Sequence, residues 1–401
     1  MKIVFVFFLF SFISPLVCAQ WSMQNQGATG KTLYSICFPD VNTGYAAGEN
    51  GTLLKTIDAG ATWVELSSGT NMYLESVYFI NADTGIAVGA SQDGGIILKT
   101  IDGGDTWSIR NFSTGSWYVK VHFSDANNGF VAGSVLYGDE GVILKTTDGG
   151  TSWGAIYSSV NELNSCYFLD SLTGYAVGEI GTILKTVDGG ISWTSANPTF
   201  GNLYDVRFTS SSTGYAAGIV LLKTTDSGAT WSVLPKANVK SGELLSIFFT
   251  SESKGYAVGV GGTILMTSNA GASWVLSESG TNQDLHSVFF ADENTGYAAG
   301  AGGTILKTTN AGALGIHKKD LPVSGFTLFP NPATSKILLS GLDASDQTVV
   351  SISASGGKIL LQNLYSNQEQ IEIDVSVFSA GLYILKLQTG KGVEAKKLII
   401  R

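Results

Sequence analysis

One short string recurs seven times along the chain and constrains its folding more than any other feature. Thr43-Gly44-Tyr45-Ala46-Ala47-Gly48 returns as TGIAVG at 84, NGFVAG at 128, TGYAVG at 173, TGYAAG at 213, KGYAVG at 254 and TGYAAG at 295. The leading glycines are 41, 44, 45, 40, 41 and 41 residues apart. A period in the low forties, built of short alternating apolar runs, predicts four strands per unit and a radial array of such units.

Each unit reads alike. A first strand carries L-x-S-V-x-F, as in Leu74 to Phe79, and a second carries G-[YIF]-[AV]-[AV]-G, as in Gly174 to Gly178. A third carries T-I-L-K-T, as in Thr182 to Thr186, and a fourth starts at a Trp such as Trp63 or Trp193. Between the third and fourth lies a fixed turn, Thr56-Ile57-Asp58-Ala59-Gly60-Ala61-Thr62-Trp63. Its acceptor residue recurs as Asp58, Asp102, Asp148, Asp188, Asp226, Asn269 and Asn310. Asp or Asn bonds the turn's own N–H groups, Gly takes a left-handed conformation cheaply, and a buried Trp contributes about 2–3 kcal/mol. The turn resembles the Asp box of bacterial sialidase-type propellers, and it implies a structural role for these seven residues.

The seventh box lacks its Trp, with Ala313-Leu314 after Gly312. Trp21 stands 23 residues before Gly44, within the 21 to 24 that separate a box Trp from the next repeat in the complete units. The expectation is that the N-terminal strand completes the seventh blade and leaves no sheet edge open. The fold class expected is all-β: a seven-bladed β-propeller over residues 20–312, closed by the N-terminal strand, then a small C-terminal β-sandwich. The units resemble the photosystem II stability/assembly-factor propellers, a likeness that specifies fold more than function.

The two ends carry export signals. Lys2, the apolar run Ile3 to Ile13, Pro15 and Val17-Cys18-Ala19 read as a signal peptide over residues 1–19, with a lipoprotein reading through Cys18 disfavoured by Val17. No other stretch approaches a membrane span. Residues 313–325 read as a linker. Residues 326–401 read as a sandwich of short strands, with Pro330-Asn331-Pro332, Gly381-Leu382-Tyr383-Ile384-Leu385 and a basic-apolar end, Lys396-Lys397-Leu398-Ile399-Ile400-Arg401. These motifs resemble the C-terminal sorting domain of type IX secretion cargo. The resemblance implies the type IX machinery as a partner and a secreted or outer-surface location, anchored or released.

Charge narrows the partners. Gln20 to His317 holds 13 Lys and Arg against 25 Asp and Glu, whereas from Lys318 onward 9 stand against 7. An acidic repeat region argues against nucleic acid and suits protein or glycan. The chain has three arginines, Arg110, Arg207 and Arg401, which is too few in the repeats for the arginine triad of sialidases. His122, His286 and His317 show no metal-ligand spacing, so neither a metal nor a cofactor is expected. Cys37 and Cys166 fall in distant repeats and read as buried thiols.

The candidate binding face gathers the loops between second and third strands and the links between units. It holds Tyr73, Asp93, Trp117, Tyr118, Tyr137, Asp139, Glu140, Glu162 and Glu179, with Glu49 and Asn161 beside them. Aromatic and acidic side chains on such loops suit a sugar or a protein loop. The reading is a non-catalytic surface or secreted propeller that binds a protein or polysaccharide, with no catalytic residue assigned. The alternatives are a polysaccharide-cleaving glycoside hydrolase that is not a sialidase, and an assembly factor for a membrane complex.

Overall fold

A computed structural model describes residues 21–24, 30–136, 140–235, 242–312, 326–342, 348–354, 359–366, 368–389 and 392–401. The proposed signal peptide and linker therefore lie outside the described residues. The chain divides into two compact units, Met1–Gly315 and Ile316–Arg401. Among the described residues no helix is long and apolar enough to cross a membrane.

Among the described residues the first unit is an all-β, propeller-like array of seven four-stranded antiparallel sheets. Six are sequential, for example Leu33–Cys37, Gly44–Gly48, Leu53–Thr56 and Val64–Leu66. The seventh takes Leu285–Phe290, Gly296–Gly300 and Ile305–Thr308 from one end of the repeats and Ser22–Met23 from the other. There Ser22 pairs with Lys307 and Met23 with Leu306. The innermost strands neighbour one another in chain order, and Leu33–Cys37 also lies against Leu285–Phe290.

Both glycines of the recurring string are needed for close approach. A Cβ on Gly44 would run into the Phe38 ring, and one on Gly48 would run into the carbonyl oxygen of Thr32. With the first glycine bare, the Phe of each innermost strand lies flat and stacks on an aromatic ring of the preceding sheet. Phe79 stacks on Tyr45 at 3.6 Å and Phe208 on Tyr175 at 3.9 Å. The box Trp meets the same Phe edge-on, as in Phe79–Trp107 at 6.1 Å. Trp21 occupies that place in the seventh sheet, 6.0 Å from Phe290 with the rings at 86°, and it is 1% exposed.

The box turns close as their residue types require. Thr56 Oγ1 and the Thr62 N–H both donate to Asp58 Oδ1 at 2.8 Å, and Thr62 Oγ1 donates to Oδ2 at 2.6 Å. Asn269 keeps the acceptor role through Oδ1, but its Nδ2 donates to Ser273 Oγ at 2.9 Å, so the hydroxyl reverses its part. Sheet-to-sheet links repeat too. Tyr45 Oη and Lys55 Nζ both donate to the Gly103 carbonyl at 2.7 Å. Tyr175 with Lys185, and Tyr215 with Lys223, do the same to Ser227 and Ala270. The Ser of L-x-S-V-x-F accepts the N–H of the next innermost strand, Ser35 from Val77 at 3.2 Å and Ser287 from Ile36 at 3.2 Å. Cys37 and Cys166 are free and buried.

The second unit holds two antiparallel sheets. One contains Thr327–Phe329, Lys336–Ser340 and Gln370–Asp374; the other contains Thr348–Ala354, Ile359–Tyr365, Gly381–Thr389 and Gly392–Ile400. Alternate residues such as Ile337, Leu339, Ile352, Leu385 and Leu398 form a buried core of their own. The Asn331 side chain clasps the last strand, accepting from Ile399 N–H at 2.9 Å and donating to the Lys397 carbonyl at 2.6 Å.

Candidate functional site

Antiparallel order puts the box turns at one end of the seven sheets. The loops between second and third strands, and the links entering each innermost strand, lie at the other end. At this loop end an aromatic row crosses three neighbouring innermost strands. Trp117 and Tyr73 stack at 6.1 Å with planes 26° apart, Tyr73 meets Tyr34 edge-on at 6.4 Å, and Tyr34 meets His286 at 5.4 Å. Tyr73 is 38% exposed.

Two carboxylates lie beneath the row. Glu49 accepts from Tyr34 Oη at 3.3 Å and from the Thr32 N–H at 3.1 Å. Burial pushes the Glu75 carboxyl up to about 7; a hydrogen bond from the Trp117 side chain opposes this and the charge of Glu49 adds to it. Burial, then the charges of Glu75 and Glu49, raise the Tyr34 phenol above its usual value, so it stays a neutral donor. Burial also holds His286 below its usual value against the pull of Asp284 and Glu49. The arrangement offers ring faces, a phenol donor and a carboxyl that titrates near neutrality.

The expected residues fall unevenly on this site. Tyr73 and Trp117 are joined in it. Tyr118 is not on the surface: it is 1% exposed, because it fills the leucine position of its innermost strand and packs over Gly95. Asp93 stands exposed in the turn between Gly85–Ser91 and Gly94–Thr100, its N–H donating to Ser91 Oγ at 3.1 Å. Glu140 is exposed, and its carbonyl accepts from the Val135 N–H at 2.8 Å. Glu162 and Glu179 meet through the backbone, Glu179 N–H donating to the Glu162 carbonyl at 3.0 Å. Asn161 Nδ2 donates to Thr182 Oγ1 at 2.7 Å. Tyr137 and Asp139 lie outside the described residues. The sequence reading did not find Tyr34, Glu75 or His286, which occupy the second position of L-x-S-V-x-F.

A second cluster went unread, deeper between the innermost strands. Asp205 replaces the recurrent Ser and is 1% exposed. It accepts from Ser165 Oγ at 2.8 Å, Ser246 Oγ at 3.2 Å and the Ile247 N–H at 3.1 Å. Lys120 Nζ lies 3.6 Å and Arg207 Nε 3.9 Å from its carboxylate. Burial alone would raise this carboxyl, but the two cations and these donors hold it below the usual range. His122 donates from Nε2 to the Phe168 carbonyl at 3.0 Å and stacks on Tyr167 at 4.7 Å. Burial, followed by the charge of Arg207, lowers it to about 3, so it is neutral.

Known proteins bear on both units. Residues 14–114 and 159–244 match the family model of photosynthesis system II assembly factor YCF48, and residues 205–354 match that of the DUF6242 beta propeller domain. Residues 327–401 match the secretion system C-terminal sorting domain. No curated protein matches the chain. Among solved structures, YCF48 bound to D1 peptide aligns with a TM-score of 0.60 at 20% identity, covering 73% of this chain and 97% of that one. YCF48 from Cyanidioschyzon merolae aligns with 0.60 at 20%, covering 72% and 99%. A GH74 enzyme of Niastella koreensis aligns with 0.58 at 15%, covering 94% and 67%. The chain is thus an all-β, propeller-like protein similar to the YCF48 assembly factors in its repeats, and it ends in a match to the secretion-system sorting domain that marks it for export.

Proposed function

We propose that this protein is a secreted or cell-surface propeller of seven blades, closed by the strand at Ser22–Met23, that binds a protein or polysaccharide without catalysis. Closure is supported by the pairing of Ser22 with Lys307 and by Trp21 standing in for the missing box Trp. Export through the type IX machinery is supported by the sorting-domain match over residues 327–401, and a signal peptide over residues 1–19 would be removed on the way.

The observation that carries the binding reading is the row Trp117–Tyr73–Tyr34 over Glu49 and Glu75. Ring faces stack on sugar or peptide planes, and fixed polar groups beside them orient a ligand. That a YCF48 structure holds a D1 peptide lends weight to an extended peptide among the protein partners. The test is an array of polysaccharides and peptides probed with the full chain beside Trp117→Ala. Saturable binding lost in the variant supports the reading, and binding that ignores the substitution removes it.

One observation favours a second reading. Glu75, with its carboxyl raised to about 7, has the character of a general acid near neutral pH. A glycoside hydrolase working at this site would release reducing sugar from a bound polysaccharide, and Glu75→Gln would abolish the release while keeping binding. Retention beside a membrane complex, with co-purification of that complex, would instead favour an assembly factor.

A further inference from the structure

The loop end carries a second feature, on the two sheets that follow the one holding Trp117. Val160, Ile180, Phe200 and Ile219 are all exposed there, Phe200 at 95%. They belong to four segments, the link at 160–162, the loop at 179–181, the link at 199–202 and the loop at 219–220. Hydrogen bonds join these segments in that order. Glu179 N–H donates to the Glu162 carbonyl at 3.0 Å, Ile180 N–H to Asn202 Oδ1 at 3.1 Å, and Ile219 N–H to the Asn202 carbonyl at 3.0 Å. The four apolar side chains thus stand on one continuous, hydrogen-bonded stretch of surface. Exposed apolar side chains gathered in this way mark an interaction surface more often than single ones do.

Ile180 is placed there at a cost. The same turn recurs in other units with its middle residue in the left-handed region, Asn50 at φ 53°, Gly261 at 68° and Gly302 at 63°. Ile180 takes that position at 52°. A β-branched side chain is disfavoured in this region, and Ile180 recovers little by burial, being 50% exposed. Strain without a return inside the fold points to a task outside it. Charge says what kind of partner completes the surface. Glu162 and Glu179 stand in the same segments, and Glu49, Asp93, Glu243 and Asp284 lie on the loops and links of the other sheets at this end. Among the described residues of those loops and links Lys31 is the one base, and it pairs with Glu65 at 3.2 Å. Acids with apolar side chains among them suit a partner that brings cations and apolar side chains together.

From these observations we infer that the surface of Ile180, Phe200 and Ile219 docks a peptide segment of a partner protein that carries both apolar and basic side chains. Its apolar side chains cover Phe200 and Ile180, and its lysines or arginines face Glu162 and Glu179. A neutral polysaccharide leaves these acids unanswered, and an acidic one is repelled by them. The inference rests on the reading of the loop end as a binding face, and it names the partner of that face as a basic, apolar peptide.

The test is fluorescence anisotropy of the full chain with a short labelled peptide alternating lysine and leucine. Counterparts alternate lysine with serine and glutamate with leucine, and a chitosan oligomer stands for a cationic polysaccharide. The expected result is saturable binding of the lysine–leucine peptide, with each of the others weaker by roughly tenfold or more. Phe200→Ser should weaken that binding roughly tenfold at an unchanged melting temperature, because the side chain is almost wholly in solvent. Ile180→Gly should weaken it several-fold while raising the melting temperature, a pairing that a purely structural role for Ile180 would not give. Trp117→Ala separates this inference from the reading it rests on. Loss of binding in all three variants supports both. Loss in Trp117→Ala alone keeps the aromatic row and overturns the docking surface, whereas loss in Phe200→Ser and Ile180→Gly alone keeps the surface and removes the row. No binding of the lysine–leucine peptide by the folded protein would overturn the inference. So would equal binding of the glutamate–leucine peptide, or tighter binding of the chitosan oligomer.

Discussion

The hydroxyl of Tyr297 donates a hydrogen bond of 2.8 Å to the carbonyl oxygen of Ala59, across 238 residues of sequence. Lys307 Nζ donates to the same oxygen at 2.6 Å. The bond repeats between the last sheet and the first the link that Tyr45 and Lys55 make to Gly103 between the first and the second. Removing the phenol oxygen alone leaves the lysine in place, so Tyr297→Phe should cost about 0.5–1.5 kcal/mol. Urea denaturation measures it, and an unchanged midpoint would mean that the bond adds nothing to stability.

Trp21 tests the seventh sheet more severely. It is 1% exposed and packs edge-on against Phe290. Trp21→Ala should destabilise the first unit by about 3–5 kcal/mol, the usual cost of emptying a large aromatic site. Deleting residues 20–26 removes the strand as well and should lower the melting temperature further. A melting curve that ignores both changes would show that the Ser22–Met23 strand is dispensable.

Acid should loosen the box turns in a defined window. Hydrogen bonds from Thr62, both side chain and backbone, and from Thr56 hold Asp58 at about 2, and equivalent donors hold Asp102, Asp188 and Asp226 at about 2. The folded values are depressed, so the stabilisation is complete above the unfolded value near 4 and is lost as pH falls from there toward 2. The Asn269 and Asn310 turns do not titrate. Melting temperature followed from pH 5 to pH 2 should fall steeply, and Asp188→Asn should flatten the fall.

Glu75 has the opposite sign. Burial raises its carboxyl to about 7, so between the unfolded value of 4.5 and 7 the folded state holds the extra proton. Its contribution to stability is therefore greatest below pH 4.5 and is lost as pH rises to 7. Glu75→Gln, which stays neutral, should make the protein more stable than the parent at pH 8 but not at pH 4. Thermal melts at the two pH values decide it. Equal differences at both would mean that Glu75 ionises normally.

The repeat, its four strands and its box turns were legible because each rests on local chemistry. Glycines 44 and 48 mark close contacts, Asp58 closes its own turn, and the count from Trp21 to Gly44 matches the other units. Tyr118 lies inside the strand Ser116–Phe123, not in the link before it. Register with Leu74 and Leu163, both fully buried, places it at a core position. Lys120 and Asp205 carried a readable signal as well: they occupy the slot that holds Ser35, Ser76, Ser165, Ser246 and Ser287 in the other five units.

The sequence by itself determined the number of repeats, the strands of each, the turns that join them and the sorting module that follows. Those features depend on backbone preferences and on neighbours a few residues away. Only the tertiary structure decided which side chains from separate repeats meet. Glu75 under Trp117, Asp205 between Lys120 and Arg207, and Tyr297 on Ala59 are each brought together by the packing of one sheet against another. Burial at the first of these meetings then raised the Glu75 carboxyl to about 7.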